Sequence, residues 1–201
     1  MAADEFGDRF VVRPETDDPS PMATTPIPLY KGDVVVAKLS VRFRCRMDGS
    51  GQYLAVEHSA FKLLAPENNN PLVRMEFDQS QAPASHRHVH ADRTSLGTLL
   101  ATTGKPTPHD TARLHLPSGG VRMRPCLEDF LQFLIKDIGV DEQPGSKNVI
   151  ADGREAWRRR QLRTAVRDAP EEAATTLESL GYTVGRPDVP PVEKRSTLRG
   201  Y

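Results

Sequence analysis

The sequence predicts an α+β fold: an antiparallel sheet of four to five strands, one face covered by a packed helix, with two helices appended at the C-terminal end. Three observations point there. Residues 34–46 alternate apolar and polar side chains, two more alternating segments follow turn clusters, and beyond residue 125 the apolar spacing changes to three and four. Period two marks a half-buried strand, and a 3–4 spacing marks an amphipathic helix. Strands first and helices afterward is the α+β order.

Residues 1–28 hold six acids, two arginines and five prolines. With so little apolar content they read as a flexible acidic, Pro-rich arm. The sheet domain is expected over 29–140. Its first strand places Val35, Ala37, Leu39, Val41, Phe43 and Cys45 inward, and Lys38, Ser40, Arg42, Arg44 and Arg46 outward. Asp48-Gly49-Ser50-Gly51 is a turn, so 53–64 should return antiparallel. Pro66 to Pro71 marks a second turn, and 72–78 alternates again with Val73, Met75 and Phe77 inward. A fourth strand is expected at 86–91 with Val89 inward, and a fifth near 113–116. Thr94 to Pro108 reads as a loop.

Leu127, Phe130, Leu131, Leu134 and Ile138 then form the stripe of the covering helix, with Pro125 near its first turn and Gly139 as its stop. A basic helical extension is expected over 150–185. Its first helix should start at a capping box of Asp152 and Glu155 and end near Asp168. Its second opens at Pro170 and closes at Gly181. Residues 186–201, with three prolines, read as a flexible tail.

The length of 201 residues suits one domain. It is short of the ~250 that a (β/α)₈ barrel needs. No apolar run approaches the ~18 residues of a membrane span, and no signal-peptide core is visible. The expectation is no membrane partner. Two cysteines, Cys45 and Cys126, make no disulfide scaffold, so a cytoplasmic location is expected, with both cysteines in the core. The 27 basic and 27 acidic residues give zero net charge, but unevenly distributed. Strand 34–46 carries four bases and no acid, and 154–167 carries six arginines against Glu155. The acidic arm is therefore expected to shield a basic domain in cis.

Half of the six histidines lie in Ser85-His86-Arg87-His88-Val89-His90. On a strand, His86, His88 and His90 share one face, about 6.5 Å apart. That face is shared with Arg42, Arg44, Arg46 and Arg74 if the strands are neighbours. Three readings stand side by side. A His-x-His pair can chelate zinc, with His58, His109, His115, Glu76 or Asp92 as third ligand, though no spacing selects a metal or any other cofactor. Histidines can act as general acid and base while arginines hold a phosphate, the requirements of RNA cleavage through the 2′-hydroxyl. The third reading is a solvated, mildly basic face, ordinary for an antiparallel sheet. His88-Val89-His90-Ala91-Asp92-Arg93 also resembles the HxHxDH motif of metallo-β-lactamase-fold hydrolases. Arg93 stands where that motif has its last histidine, and the preceding residues 79–85 are polar, so the reading is set aside.

The arginine run offers a second candidate surface. Arg158, Arg159 and Arg160, together with Arg87 on the histidine strand, are candidate nucleic-acid contacts, because arginines neutralise phosphates without regard to sequence. The alternative is a solvated face that docks the arm or an acidic partner.

Leu72-Val73-Arg74-Met75-Glu76-Phe77-Asp78, then His86-Arg87-His88, then the helix around Leu127-Glu128-Asp129-Phe130-Leu131 resembles the TumE family of small toxin-like proteins from bacterial toxin–antitoxin pairs. The resemblance covers roughly 34–138. It implies an intracellular toxin acting on RNA or translation and neutralised by an antitoxin protein, with His86 and His88 as the positions that match the family's run. The favoured expectation is thus a toxin-like protein acting on RNA, a candidate ribonuclease. Its rivals are a non-enzymatic nucleic-acid- or protein-binding module using the Arg-rich helix, and a homo-oligomer formed through the open sheet face.

Overall fold

The computed structural model describes residues 1–48, 51–80, 85–89, 93–108 and 125–198, with 85–89, 93–94 and 196–197 described by their backbone. Its centre is a long strand β4 (Val34–Met47), the segment with the strongest alternation. One edge of β4 pairs antiparallel with β5 (Leu54–Leu64), which pairs with β6 (Pro71–Asp78), which pairs with β7 (Ser85–Val89). The other edge is shared by two shorter strands. β3 (Ile27–Lys31) lies along 34–39, and β2 (Arg9–Arg13) along 43–45, with β1 (Ala2–Phe6) outside β2. Among the described residues the sheet has seven strands, and all their pairings are antiparallel.

Three of the seven come from the N-terminal 31 residues, which corrects the expectation of a loose arm over 1–28. Arg13 supplies the physical reason. It is only 2% exposed and donates to Asp4 Oδ2 at 2.9 Å and to the carbonyls of Ser20 and Ala23 at 2.5 and 2.7 Å. One guanidinium therefore ties β1, β2 and the connecting segment together, and its hydrogen bonds offset its desolvation. Residues 14–26 lie across the outer sheet face: Met22 O accepts from Arg42 Nη1 at 2.9 Å, and Thr24 Oγ1 donates to Val41 O at 3.4 Å. The segment does cover part of the basic face in cis, but with backbone carbonyls.

The inner face carries the core. Val41, Phe61 and Met75 are cross-strand neighbours, as are Leu39, Leu63 and Val73, and all six are buried. α1 (Arg93–Thr102) and α2 (Leu127–Phe133) cover them, α2 continuing as a π-helical turn Leu134–Ile138. Phe130 lies 6.1 Å from Phe61, which meets Phe43 edge-on at 5.3 Å. Burying each such ring stabilises the fold by about 1.5–3 kcal/mol. α1 replaces the loop expected over 94–108. Its Thr- and Gly-rich sequence has weak helix propensity, and burial of Leu96, Leu99 and Leu100 at 3–4 spacing overrides it. Gly139 stops the π turn in the left-handed region, φ 91°, as expected of it.

α3 (Ser146–Asp168) and α4 (Pro170–Ser179) are the two appended helices. α3 starts at Ser146, after Gly145 at φ 81°, so Asp152 and Glu155 sit inside the helix and do not cap it. The glycine's left-handed turn sets the break. Within 186–201, Arg186 bridges Glu171 and Glu178, and Lys194 bridges the buried Asp168, leading into the short α5 (Arg195–Leu198). The expected strand near 113–116 lies outside the described residues. No helix among them is long and apolar enough to cross a membrane.

Candidate functional site: the outer sheet face and the arginine helix

Register decides which residues of the outer sheet face can meet. His86 pairs with Glu76, and His88 with Arg74. Beyond β6, Glu76 pairs with Ala60 and Ala60 with Arg42, while Arg74 pairs with Lys62 and Lys62 with Ser40. Arg74 is therefore on the strand beside the histidines. Arg42, Arg44 and Arg46 are on β4, three strand spacings away, which at ~4.8 Å each is about 14 Å. The histidine strand and the β4 arginines lie in one sheet, with two strands between their backbones. Arg87 pairs with Met75, a core position, and not with a member of the polar rows. His90 lies outside the described residues, as do Asp92, His109 and His115.

The β4 arginines have partners of their own. A bulge in β5 sets Arg44 opposite His58 and Cys45 opposite Val56, leaving Glu57 as the extra residue. Its carboxylate, 12% exposed, accepts from Arg9 Nε at 2.8 Å and lies 3.5 Å from Arg46 and 4.0 Å from Arg44. The hydrogen bond to Glu57 raises the pKa of Arg9. Arg42 is held by Met22 O, as above. Arg74 lies 3.7 Å and Lys62 3.9 Å from Glu76. The Nε of Arg74 is buried and has no hydrogen-bond partner among the described residues.

His58 joins this face from β5, between Arg44 and Asp78 in register. Desolvation first, then the charge of Arg42, lowers its pKa from 6.5, with Asp78 and Glu76 pulling the other way. Its imidazole is thereby held neutral near pH 7, as a general base must be. The alternation of the sequence pointed to it only as one of several third ligands, since a lone histidine in an apolar strand carries no spacing signal. Among the described residues no three His, Cys, Asp or Glu side chains converge as a metal site would require. Cys126 is buried at the start of α2, its thiol pushed up to about 12, chiefly by burial, which makes it a core residue and no nucleophile.

The arginine helix divides into two faces. Toward α2, Arg154 donates from Nε to Asp129 Oδ1 at 2.8 Å and from Nη2 to Gln132 Oε1, and Arg158 lies 3.6 Å from the same Asp129 oxygen. Gly153 lets the helices approach, for a Cβ there would sit 2.6 Å from Glu128 Oε1. Arg158 is thus part of the helix contact. On the opposite face Arg159, Arg160, Arg163 and Arg167 are exposed. At 3.6 residues per turn they fall within an arc of about 100°, and at 1.5 Å per residue they span ~12 Å. Arg159 pairs with Glu155 one turn back, while Arg160, Arg163 and Arg167 have no ion pair among the described residues. Arg163 and Arg167 belong to this surface although the run at 158–160 is more conspicuous. Projecting the sequence onto a helical wheel separates them from Arg154 and Arg158. No family model, curated protein or solved structure matches the chain, so the functional reading rests on this geometry.

Proposed function

We propose that this protein binds nucleic acid, RNA being the expected polymer, through the outward arginine stripe of α3. The observation that carries the reading is the contrast between the two basic surfaces. The sheet arginines are engaged by Glu57, Glu76 and Met22 O, whereas Arg160, Arg163 and Arg167 are exposed and without ion pairs among the described residues. Unpaired arginines gain most from releasing a polyanion's counterions, and they read phosphate without reading sequence. The test is binding of a single-stranded RNA across a salt series. The Arg160→Ala/Arg163→Ala/Arg167→Ala variant should bind more weakly and flatten the log K against log salt slope by about 2, from ~0.7 per lost contact. An unchanged slope would refute the reading.

A second reading is favoured by one observation, the Arg74 Nε, which has no hydrogen-bond partner among the described residues and stands in register with His88. On it the protein is a toxin-like ribonuclease of the kind the TumE resemblance implies, working in the cytoplasm and neutralised by an antitoxin protein. His86, His88 and His90 would serve as acid and base, with Arg74 holding the phosphate. In the same binding experiment, His86→Ala/His88→Ala should leave the salt slope intact and abolish RNA cleavage. Cleavage equal to that of the wild type would dismiss the catalytic role.

A further inference from the structure

The two halves of α3 differ in their surroundings. The first half is held against α2 through Gly153 and Arg154, and it buries Ile150. From Arg159 to Arg167 every residue is exposed except the half-buried Gln161, and Asp168 then anchors the end through Lys194. At about 100° per residue, Ile150, Gln161 and Asp168 lie about 140–160° round the helix from Arg163. The helix therefore rests on the molecule by its back. Its front and both flanks face solvent for about 12 Å.

Three features of this exposed half select a form of nucleic acid. Residues 159–167 include no acid and no aromatic side chain. Single strands are gripped by stacking their bases on aromatic rings, and this surface offers none. The arginines also diverge. Seen down the axis, Arg159 stands about 40° to one side of Arg163, with Arg167 and Arg160 about 40° and 60° to the other. That spread suits phosphates on two walls better than the single line of one strand. The third feature is Val166, 51% exposed and about 20° from Arg159. An apolar side chain gains nothing from phosphate. It gains from the C5 methyl of thymine, which projects into the major groove of DNA and which uracil lacks.

We propose that the exposed half of α3 enters the major groove of B-form DNA, with Arg159 and Arg160 on the phosphates of the two walls and Val166 against a thymine methyl. The dimensions agree: a helix with its side chains is about 10–12 Å across, and that groove is about 12 Å wide. The major groove of an RNA duplex is too deep and narrow for side chains to read. The inference rests on the nucleic-acid reading of the stripe and adds a preference of form to it. RNA is held by phosphate contacts alone, the DNA duplex by phosphates and base edges.

The experiment is a fluorescence-anisotropy titration of the full chain with four labelled probes at one low salt concentration. They are a short alternating A·T DNA duplex, the same duplex with deoxyuridine for thymidine, the alternating A·U RNA duplex and a single-stranded RNA. The A·T duplex should bind tightest. The deoxyuridine duplex carries the same charge and should bind about fourfold more weakly, the worth of one buried methyl group. This comparison tests the contact without touching the protein. Val166→Ser should bind both DNA duplexes alike, with its helix content unchanged by circular dichroism. Equal affinity for all four probes, or tighter binding of either RNA, overturns the groove docking and leaves the nucleic-acid reading standing. Equal binding of the two DNA duplexes by the wild type, or a deoxyuridine effect that persists in Val166→Ser, overturns the thymine contact assigned to Val166. No binding of any probe overturns the nucleic-acid reading and the docking with it.

Discussion

His58 and Arg13 show how single side chains on the outer face couple to stability. The folded pKa of His58 lies below 6.5, chiefly through desolvation, with Arg42 and Arg44 adding to it and Asp78 and Glu76 opposing it. As pH falls below 6.5 the unfolded chain therefore takes up a proton that the folded chain refuses. The contribution is complete above 6.5 and is lost as pH falls through the depressed value. Thermal midpoints of His58→Gln, followed downward from neutral pH, should fall less steeply than those of the wild type; parallel curves would show that this imidazole is not the linked group. Arg13 matters at every pH. Arg13→Met strips partners from Asp4, Ser20 O and Ala23 O while filling similar volume. Leaving the Ser20 and Ala23 carbonyls without their donor costs about 1–3 kcal/mol, the half-exposed Asp4 adding little, so the urea midpoint should drop accordingly. A loss within experimental error would mean that the segment 14–26 holds itself in place.

Among the elements, α2 and its π turn were the most legible and α1 the least. Leu127, Phe130, Leu134 and Ile138 announce a stripe, and Gly139 a stop, because both signals are local. Gly139 has a stronger role than spacing alone indicates. A Cβ there would stand 3.3 Å from both Thr103 Cβ and Thr103 O, on a backbone already at φ 91°. Gly139→Ala should cost about 1–2 kcal/mol from the left-handed conformation alone, measured by chemical denaturation. A neutral result would mean that the turn relaxes without penalty. α1 is not legible in the sequence because Thr98, Thr102 and Gly97 are poor helix formers, and only the sheet surface makes Leu96, Leu99 and Leu100 a helix. The start of α3 is hidden in the sequence for a related reason. Asp152 and Glu155 have capping chemistry, yet Gly145 breaks the chain first.

For the whole molecule, zero net charge sums an acidic N-terminal segment, a sheet face whose arginines meet Glu57 and Glu76, and an arginine stripe on α3. The period-two alternation of 34–46 and 72–78 made the sheet and its polar face legible, because strand periodicity is a property of neighbours in sequence. The order of strands across the sheet was not. Nothing in the histidine run tells that two strands separate β7 from β4, and so the gathering of histidines with Arg42, Arg44 and Arg46 could not be judged before the register was known. The Glu57 bulge was equally hidden, since one unpaired residue leaves no mark on composition. The arginine surface lay within reach, for a helical wheel needs only the positions.

The long β4, held on one edge by two different short strands, also dictates an order of assembly. During synthesis β1 and β2 leave the ribosome before the part of β4 that receives them, whereas β3 meets its half of β4 across the short turn at Gly32 and Asp33. Local pairings close sooner than distant ones. The hairpin of β1 and β2, first to be made, accordingly docks after β3 has closed on its half of β4. Until it does, the edge of β4 at 43–45 stands open to pairing with a foreign strand. Newly made chains would thus be most prone to aggregate along this open edge.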